Sequence, residues 1–167
     1  FPDFFKQYNE TDPGNWVGAR HLYDVPLQLI DCVTARRSVD VCYMRGVGVT
    51  QTKFALESLI DHIAVQGGKD PLQYRLDMLQ GAPRAQQVLR EVAAMSDWPR
   101  RRAGRALGVA YTGYSNGHAA LVADVSVDRS SGQIRVHEVW SAVDVGFAVQ
   151  PDICRSQIEG GIVQGLS

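Results

Sequence analysis

The chain has little that would tie it to a disulfide framework, a protein-held metal or a membrane. Only three of its 167 residues are cysteine and four are histidine. Cys32, Cys42 and Cys154 are too widely spaced for a zinc knuckle or a CxxC redox pair, and an odd number makes no complete disulfide set. They read as buried thiols acting as small apolar residues. His21, His62, His118 and His137 form neither an HExxH motif nor an i, i+4 pair, which argues against a metal held directly by side chains. No run approaches the ~18 apolar residues that a membrane helix needs. Seventeen basic residues against eighteen acidic ones leave a net charge of −1, and no general reason to expect nucleic acid or an anionic membrane as partner. The one basic cluster, Arg100-Arg101-Arg102 with Arg105, follows Trp98-Pro99 and reads as a solvated turn. There is no GxSxG, and no histidine is placed to make a nucleophilic triad recognisable.

With 45% hydrophobic and 21% charged residues, the composition is that of one globular domain with a hydrophobic core. Phe1-Pro2-Asp3-Phe4-Phe5 has no methionine, basic segment or apolar segment of a signal peptide. It reads as the interior of a longer protein, and Ser167 ends the chain as abruptly. The expectation is a single domain, or a fragment of a larger subunit, from a cytoplasmic or periplasmic protein.

The order of elements is mixed. Asp12-Pro13-Gly14-Asn15 signals a turn, Val25 to Val33 alternates like a strand, and Val39 to Met44 predicts a second strand. Leu56, Leu59, Ile60, Ile63 and Ala64 lie at helical spacing, closed by Gly67-Gly68. Asp70-Pro71-Leu72-Gln73 opens another helix with a capping box and a stripe of Leu72, Leu76 and Leu79. A third begins near Pro83, with Ala85, Val88, Leu89 and Val92 on its apolar face. Ala106 to Tyr114 is strand-like. Leu121, Ala123, Val125 and Val127 alternate as a half-buried strand does, and Asp128 to Gly132 turns the chain into Gln133 to Val143, with a slip near Val139 that suggests a bulge. A final helix is expected over this hairpin. The fold class is α+β.

Two loop-to-helix junctions carry the candidate chemistry. In Met44-Arg45-Gly46-Val47-Gly48, the glycines let backbone N–H groups turn toward an anionic ligand, and Arg45 adds a permanent forked cation. A plain structural turn explains the same residues. In the second, Asp144 and Asp152 are either paired carboxylates for acid–base work or, more simply, an Asx turn and a helix cap. The helix beyond them sets Gln157, Gly160, Gly161 and Gln164 on one face. Interior glycines each cost about 1 kcal/mol against alanine. A flat, heteroatom-rich ligand lying on the glycines and read by two carboxamides accounts for that cost, and so does close packing against another element.

Met44 to Gly48, Phe54 to Ala64 and Gly68 to Leu76, followed by Ala142-Val143-Asp144-Val145-Gly146, Gln150-Pro151-Asp152 and Gln157 to Ser167, resemble in that order the signature of molybdenum hydroxylases, the xanthine dehydrogenase and aldehyde oxidase family. Only a short helical and hairpin segment separates the arginine loop from the last helix, which is similar to the branch containing isoquinoline-oxidising large subunits. The resemblance implies a fragment of the molybdenum-cofactor-binding domain, with a mixed sheet and helices on one face. It implies molybdopterin as cofactor, iron–sulfur clusters on a small partner subunit, and water-dependent oxidation of an isoquinoline-like N-heterocycle or an aldehyde. Arg45, Gly46, Gln157, Gly161 and Gln164 become the cofactor-binding candidates. The family's glutamate base belongs to a motif beyond Ser167, so the chain by itself is expected to fold at least partly and to be inactive. A non-catalytic scaffold that has lost the cofactor is the competing expectation.

Overall fold

The computed structural model describes residues 11–33, 38, 43–100 and 102–167. The chain divides into two compact units, Phe1–Pro83 and Arg84–Ser167.

In the first unit Asp12 caps a short helix, α1 (Pro13–Trp16), by accepting the Gly14 N–H at 2.8 Å, and a 3₁₀ turn, Val17–Ala19, continues it. Helix α2 (Val49–Gln66) starts from Gly48, which sits in the left-handed region at φ +60°. A Cβ at Gly48 would overlap the Gly14 carbonyl, and one at Gly18 would overlap Thr52 and the Gly48 carbonyl. These glycines therefore let backbone approach backbone at the start of α2. The helix ends where expected, with Gly67 N–H donating to Ile63 at 2.9 Å and Gly68 at φ +64°.

The buried face of α2 matches the expected apolar stripe only at Ile60 and Ala64. Lys53, Glu57, Ile60 and Ala64 are buried, while Leu59 and Ile63 are exposed. The cause lies in helix α3 (Pro71–Met78), where Arg75 is wholly buried. Its Nε donates to Glu57 Oε2 at 2.9 Å and its Nη2 to the Glu57 carbonyl at 3.0 Å. Nη1 reaches Asp61 Oδ1 and the Pro71 carbonyl. Tyr23 completes the cluster, donating its hydroxyl to Glu57 Oε1 at 2.9 Å. Desolvation alone would drive Arg75 toward its neutral form, but Glu57, Tyr23 and Asp61 outweigh it and hold the guanidinium charged. A buried cation needs its anion, so Glu57 takes the inward position that hydrophobic spacing would assign to leucine.

Asp70 caps α3 through the Gln73 N–H at 2.9 Å, but the Gln73 side chain turns to Asp77, so only half of the capping box forms. Leu72 and Leu79 are buried and Leu76 only partly so. Val25 to Val33 is not a strand: it has no ladder partner among the described residues, and Leu27, Leu29 and Val33 are exposed. Alternation marks a strand only where a neighbouring edge receives its hydrogen bonds. Of the second expected strand, residues 39–42 lie outside the described residues, and Tyr43 and Met44 are irregular.

In the second unit, α4 (Pro83–Ser96) buries the expected Ala85, Val88, Leu89 and Val92. An antiparallel sheet follows in the order β1 (Ala106–Tyr114), β2 (Gly117–Val127) and β3 (Ile134–Asp144). The α+β class holds, but this sheet is antiparallel throughout where a mixed one was expected, because two short hairpins connect its strands. Ser115 and Asn116, both at positive φ, form the first. Asp128 holds the second, accepting from the Ser130 N–H, the Ser130 hydroxyl and the Ser131 hydroxyl.

On β2 the expected phase is inverted: Ala120, Val122 and Asp124 are buried, while Leu121, Ala123 and Val125 are only partly so. Both faces of this strand are apolar, so alternation could not choose between them; the wholly buried Asp124 marks the inner one. The bulge falls two residues before Val139: Asp124 pairs with Glu138 and Val125 with Val136, leaving His137 extra. The final helix, α5 (Pro151–Leu166), was expected over the hairpin but buries none of its residues.

Replacing Arg75 with leucine strands Glu57 as a buried, uncompensated charge, and should cost about 3–5 kcal/mol in urea denaturation. A loss below about 1 kcal/mol would show that the cluster is not structural. The Asp128 carboxyl is pushed down to about 2 from 3.8 by the side-chain and backbone hydrogen bonds of Ser130, then by Ser131. Its contribution is present above the unfolded value and lost as pH falls through the folded one. The urea midpoint of the chain should therefore fall between pH 4 and 2, and Asp128→Asn should flatten that part of the profile.

Candidate cofactor-binding site

The candidates lie in both units, Arg45 and Gly46 in the first and Gln157, Gly161 and Gln164 in the second. Arg45 and Gly46 are exposed on the turn before α2, with Gly46 at φ +82°. The Gly46 carbonyl accepts the Val49 and Thr50 N–H groups, each at 3.0 Å, and the Thr50 hydroxyl at 3.1 Å. Those two N–H donors of the first turn are therefore used within the loop. Arg45 and Gly46 themselves remain exposed.

The second group begins at the end of β3. Asp144 receives Arg84 in a two-point pair, Nε to Oδ2 at 2.7 Å and Nη2 to Oδ1 at 2.8 Å. Its Oδ1 also accepts the N–H of Gly146, which stands at φ +74°. This is the expected Asx turn, with a guanidinium that spacing did not foretell. The Arg84 hydrogen bonds, followed by that of Gly146, hold the Asp144 carboxyl far below the usual carboxylate range. His118 pairs with Asp144 across the ladder, and Tyr111 Oη lies 2.8 Å from its Nδ1. Burial, then the nearby Arg84, lower the His118 pKa, so this imidazole is neutral at pH 7.

Asp152 does not cap the last helix: α5 starts one residue earlier, at Pro151, with Gln150 as N-cap and no side-chain cap bond. Asp152 instead places its charge in the first turn, where the helix dipole favours it. Gln157 and Gln164 are exposed, and Gly160 and Gly161 between them are partly buried. Each carboxamide carries both donors and an acceptor. That chemistry suits the amide edge of a pterin, as the Arg45 fork suits a phosphate.

Two expectations about other residues change. Arg102 and Arg105 are not a solvated turn: both reach Oδ2 of the wholly buried Asp124, Arg105 at 3.0 Å. Burial opposes ionisation of Asp124, but hydrogen bonds from Arg105 and Arg102 outweigh it and lower its pKa. An acid inside the apolar strand Leu121 to Val127, downstream of an arginine cluster, was the available sequence signal. Cys32 and Cys154 are free and only partly buried; Cys42 lies outside the described residues. Among the described residues, no histidine, cysteine and carboxylate group is arranged to hold a metal, and no helix is long and apolar enough to cross a membrane.

The family of molybdopterin cofactor-binding domains matches residues 74–167, from α3 through the glutamines of α5. The chain belongs to this family. It is 58% identical over its whole length to the beta subunit of isoquinoline 1-oxidoreductase from Brevundimonas diminuta, of which it covers 22%. Over 77% of its length it is 36% identical to a nicotinate dehydrogenase subunit from Pseudomonas putida, covering 12% of that protein. Over 90% it is 29% identical to a membrane-bound aldehyde dehydrogenase (pyrroloquinoline-quinone) from Gluconacetobacter polyoxogenes, covering 22%. The chain thus spans about a fifth or less of these relatives. The matched family region contains Gln157, Gly161 and Gln164 and excludes Arg45.

Gly48→Ala should be costly, since it adds positive-φ strain to overlap with Gly14. A loss well above about 2 kcal/mol in urea denaturation is expected, against about 1 kcal/mol for an alanine at exposed Gly68, where nothing lies within reach of a Cβ and only the positive-φ strain applies.

Proposed function

We propose that the polypeptide containing this chain is the molybdopterin-binding subunit of a molybdenum hydroxylase. Its substrate class is an electron-poor N-heterocycle of the isoquinoline kind, or an aldehyde, and its electrons pass to iron–sulfur clusters on a small partner subunit. The observation that carries the reading is the placement of Gln157, Gly161 and Gln164 on one face of α5, within the region matched to cofactor-binding domains.

In this reading the Gln157 and Gln164 carboxamides hydrogen-bond the pterin edge, and Gly161 lets the ring system approach the helix backbone. Arg45 offers its guanidinium to an anionic group, with Gly46 leaving room beside it. When bound, molybdopterin supplies the redox-active metal on which oxidation with a water-derived oxygen depends. The residues of this chain bind and orient the cofactor, while the acid–base group comes from elsewhere in the polypeptide. The names of two relatives refer to N-heterocyclic compounds and that of a third to aldehydes, which supports the substrate class without choosing within it.

The test is the molybdenum and pterin content of the full-length parent, purified with its natural partner from a host that makes the cofactor. Stoichiometric molybdenum is expected, with Gln157→Ala and Gln164→Ala each weakening cofactor retention about five- to tenfold, the equivalent of ~1–1.5 kcal/mol per lost carboxamide contact. A well-folded parent without molybdenum would favour a scaffold that has lost the cofactor.

A further inference from the structure

Helix α5 buries none of its residues fully, and its apolar stripe of Cys154, Ile158 and Ile162 is only partly covered, so packing alone holds its direction weakly. The chain approaches it through residues 145–150, and the first fixed point of that approach is Asp144. Its carboxylate is gripped by Arg84 on both oxygens, at 2.7 and 2.8 Å, and turns the chain by accepting the Gly146 N–H at 2.8 Å. Arg84 stands in the first turn of α4, just before the buried Ala85, Val88, Leu89 and Val92. The grip therefore ties the end of β3 and the start of the loop to an element seated in the core.

From this geometry we infer that Arg84 and Asp144 are positioning residues for α5: they set the direction in which the loop delivers the cofactor-facing helix. The inference rests on the reading of α5 given above. Both side chains are substantially exposed, 44% for Arg84 and 33% for Asp144, so the pair adds little to global stability. Its value is directional. A guanidinium engages a carboxylate at two points and fixes an angle, whereas a lysine ammonium makes a point contact. Asp144 also shapes the turn at Gly146, where the positive φ suits glycine.

The experiment uses the full-length parent with its partner subunit and the variants Arg84→Lys, Arg84→Gln and Asp144→Asn. Amide hydrogen exchange over residues 145–157 and molybdenum and pterin content per chain are measured on each, and the thermal midpoint is measured on the cofactor-free protein, because cofactor loss by itself lowers the midpoint. The expected result is exchange in the loop faster by about tenfold, at an unfolding midpoint within about 2 °C of wild type. Cofactor content should fall at least threefold in all three variants, Arg84→Lys included, because lysine keeps the charge and loses the fork. Wild-type loop exchange and full cofactor content would overturn the inference. So would a midpoint that falls in parallel with the cofactor, which would make the pair an ordinary stabilising contact. The exchange measurement needs no cofactor: a wild-type parent lacking molybdenum defeats the functional reading, while loop exchange still decides whether the pair positions α5.

Discussion

The guanidinium of Arg75 organises the first unit. A permanent cation with no exposed surface can be tolerated only where its N–H groups are met by acceptors, and the unit is built to meet them. Glu57 and Asp61 on α2 supply carboxylates, Glu57 and Pro71 supply carbonyls, and Tyr23 takes the second oxygen of Glu57. This fixes which side of α2 faces inward. It also leaves Leu59 and Ile63 on the outer side, against the hydrophobic pattern.

The second unit uses the same device with the signs reversed. Asp124 is the buried ion, on the central strand, and Arg102 and Arg105 are the partners brought to it from the segment before β1. Arg102 also lies over the Trp140 ring at 5.8 Å, which links that segment to β3. The inner face of the sheet, with Val109, Tyr111, Ala120 and Val122, is thus selected by an ion pair as much as by apolar side chains. At the far end of β3 the Arg84–Asp144 pair makes a third arginine–carboxylate contact, more exposed than the other two.

The candidate site was partly legible in the residues. The glutamine–glycine face of α5 is a local periodicity, and a helix displays it whatever surrounds it, so Gln157, Gly161 and Gln164 could be read directly. The Asx turn at Asp144 was equally local. Arg84 was not legible as its partner, because sixty residues separate the two and only the β-meander brings them together. In the arginine loop the sequence shows the glycines but not that the Gly46 carbonyl accepts the Val49 and Thr50 N–H groups at the start of α2.

Local signals determined much of the element order. The three long helices, the β1 span, the Asp128 hairpin and the glycine stop after α2 follow from side-chain spacing, capping and turn chemistry, which act over a few residues. Spacing also gave the buried face of α4, but tertiary structure decided the faces of α2 and β2. Residues 25 to 33 alternate like a strand yet have no edge to pair with among the described residues, and β2 is apolar on both sides until Asp124 finds its arginines. Hydrophobic periodicity measures only the contrast between faces, whereas burial of a charge depends on a partner distant in sequence, and that is available only once the chain has folded.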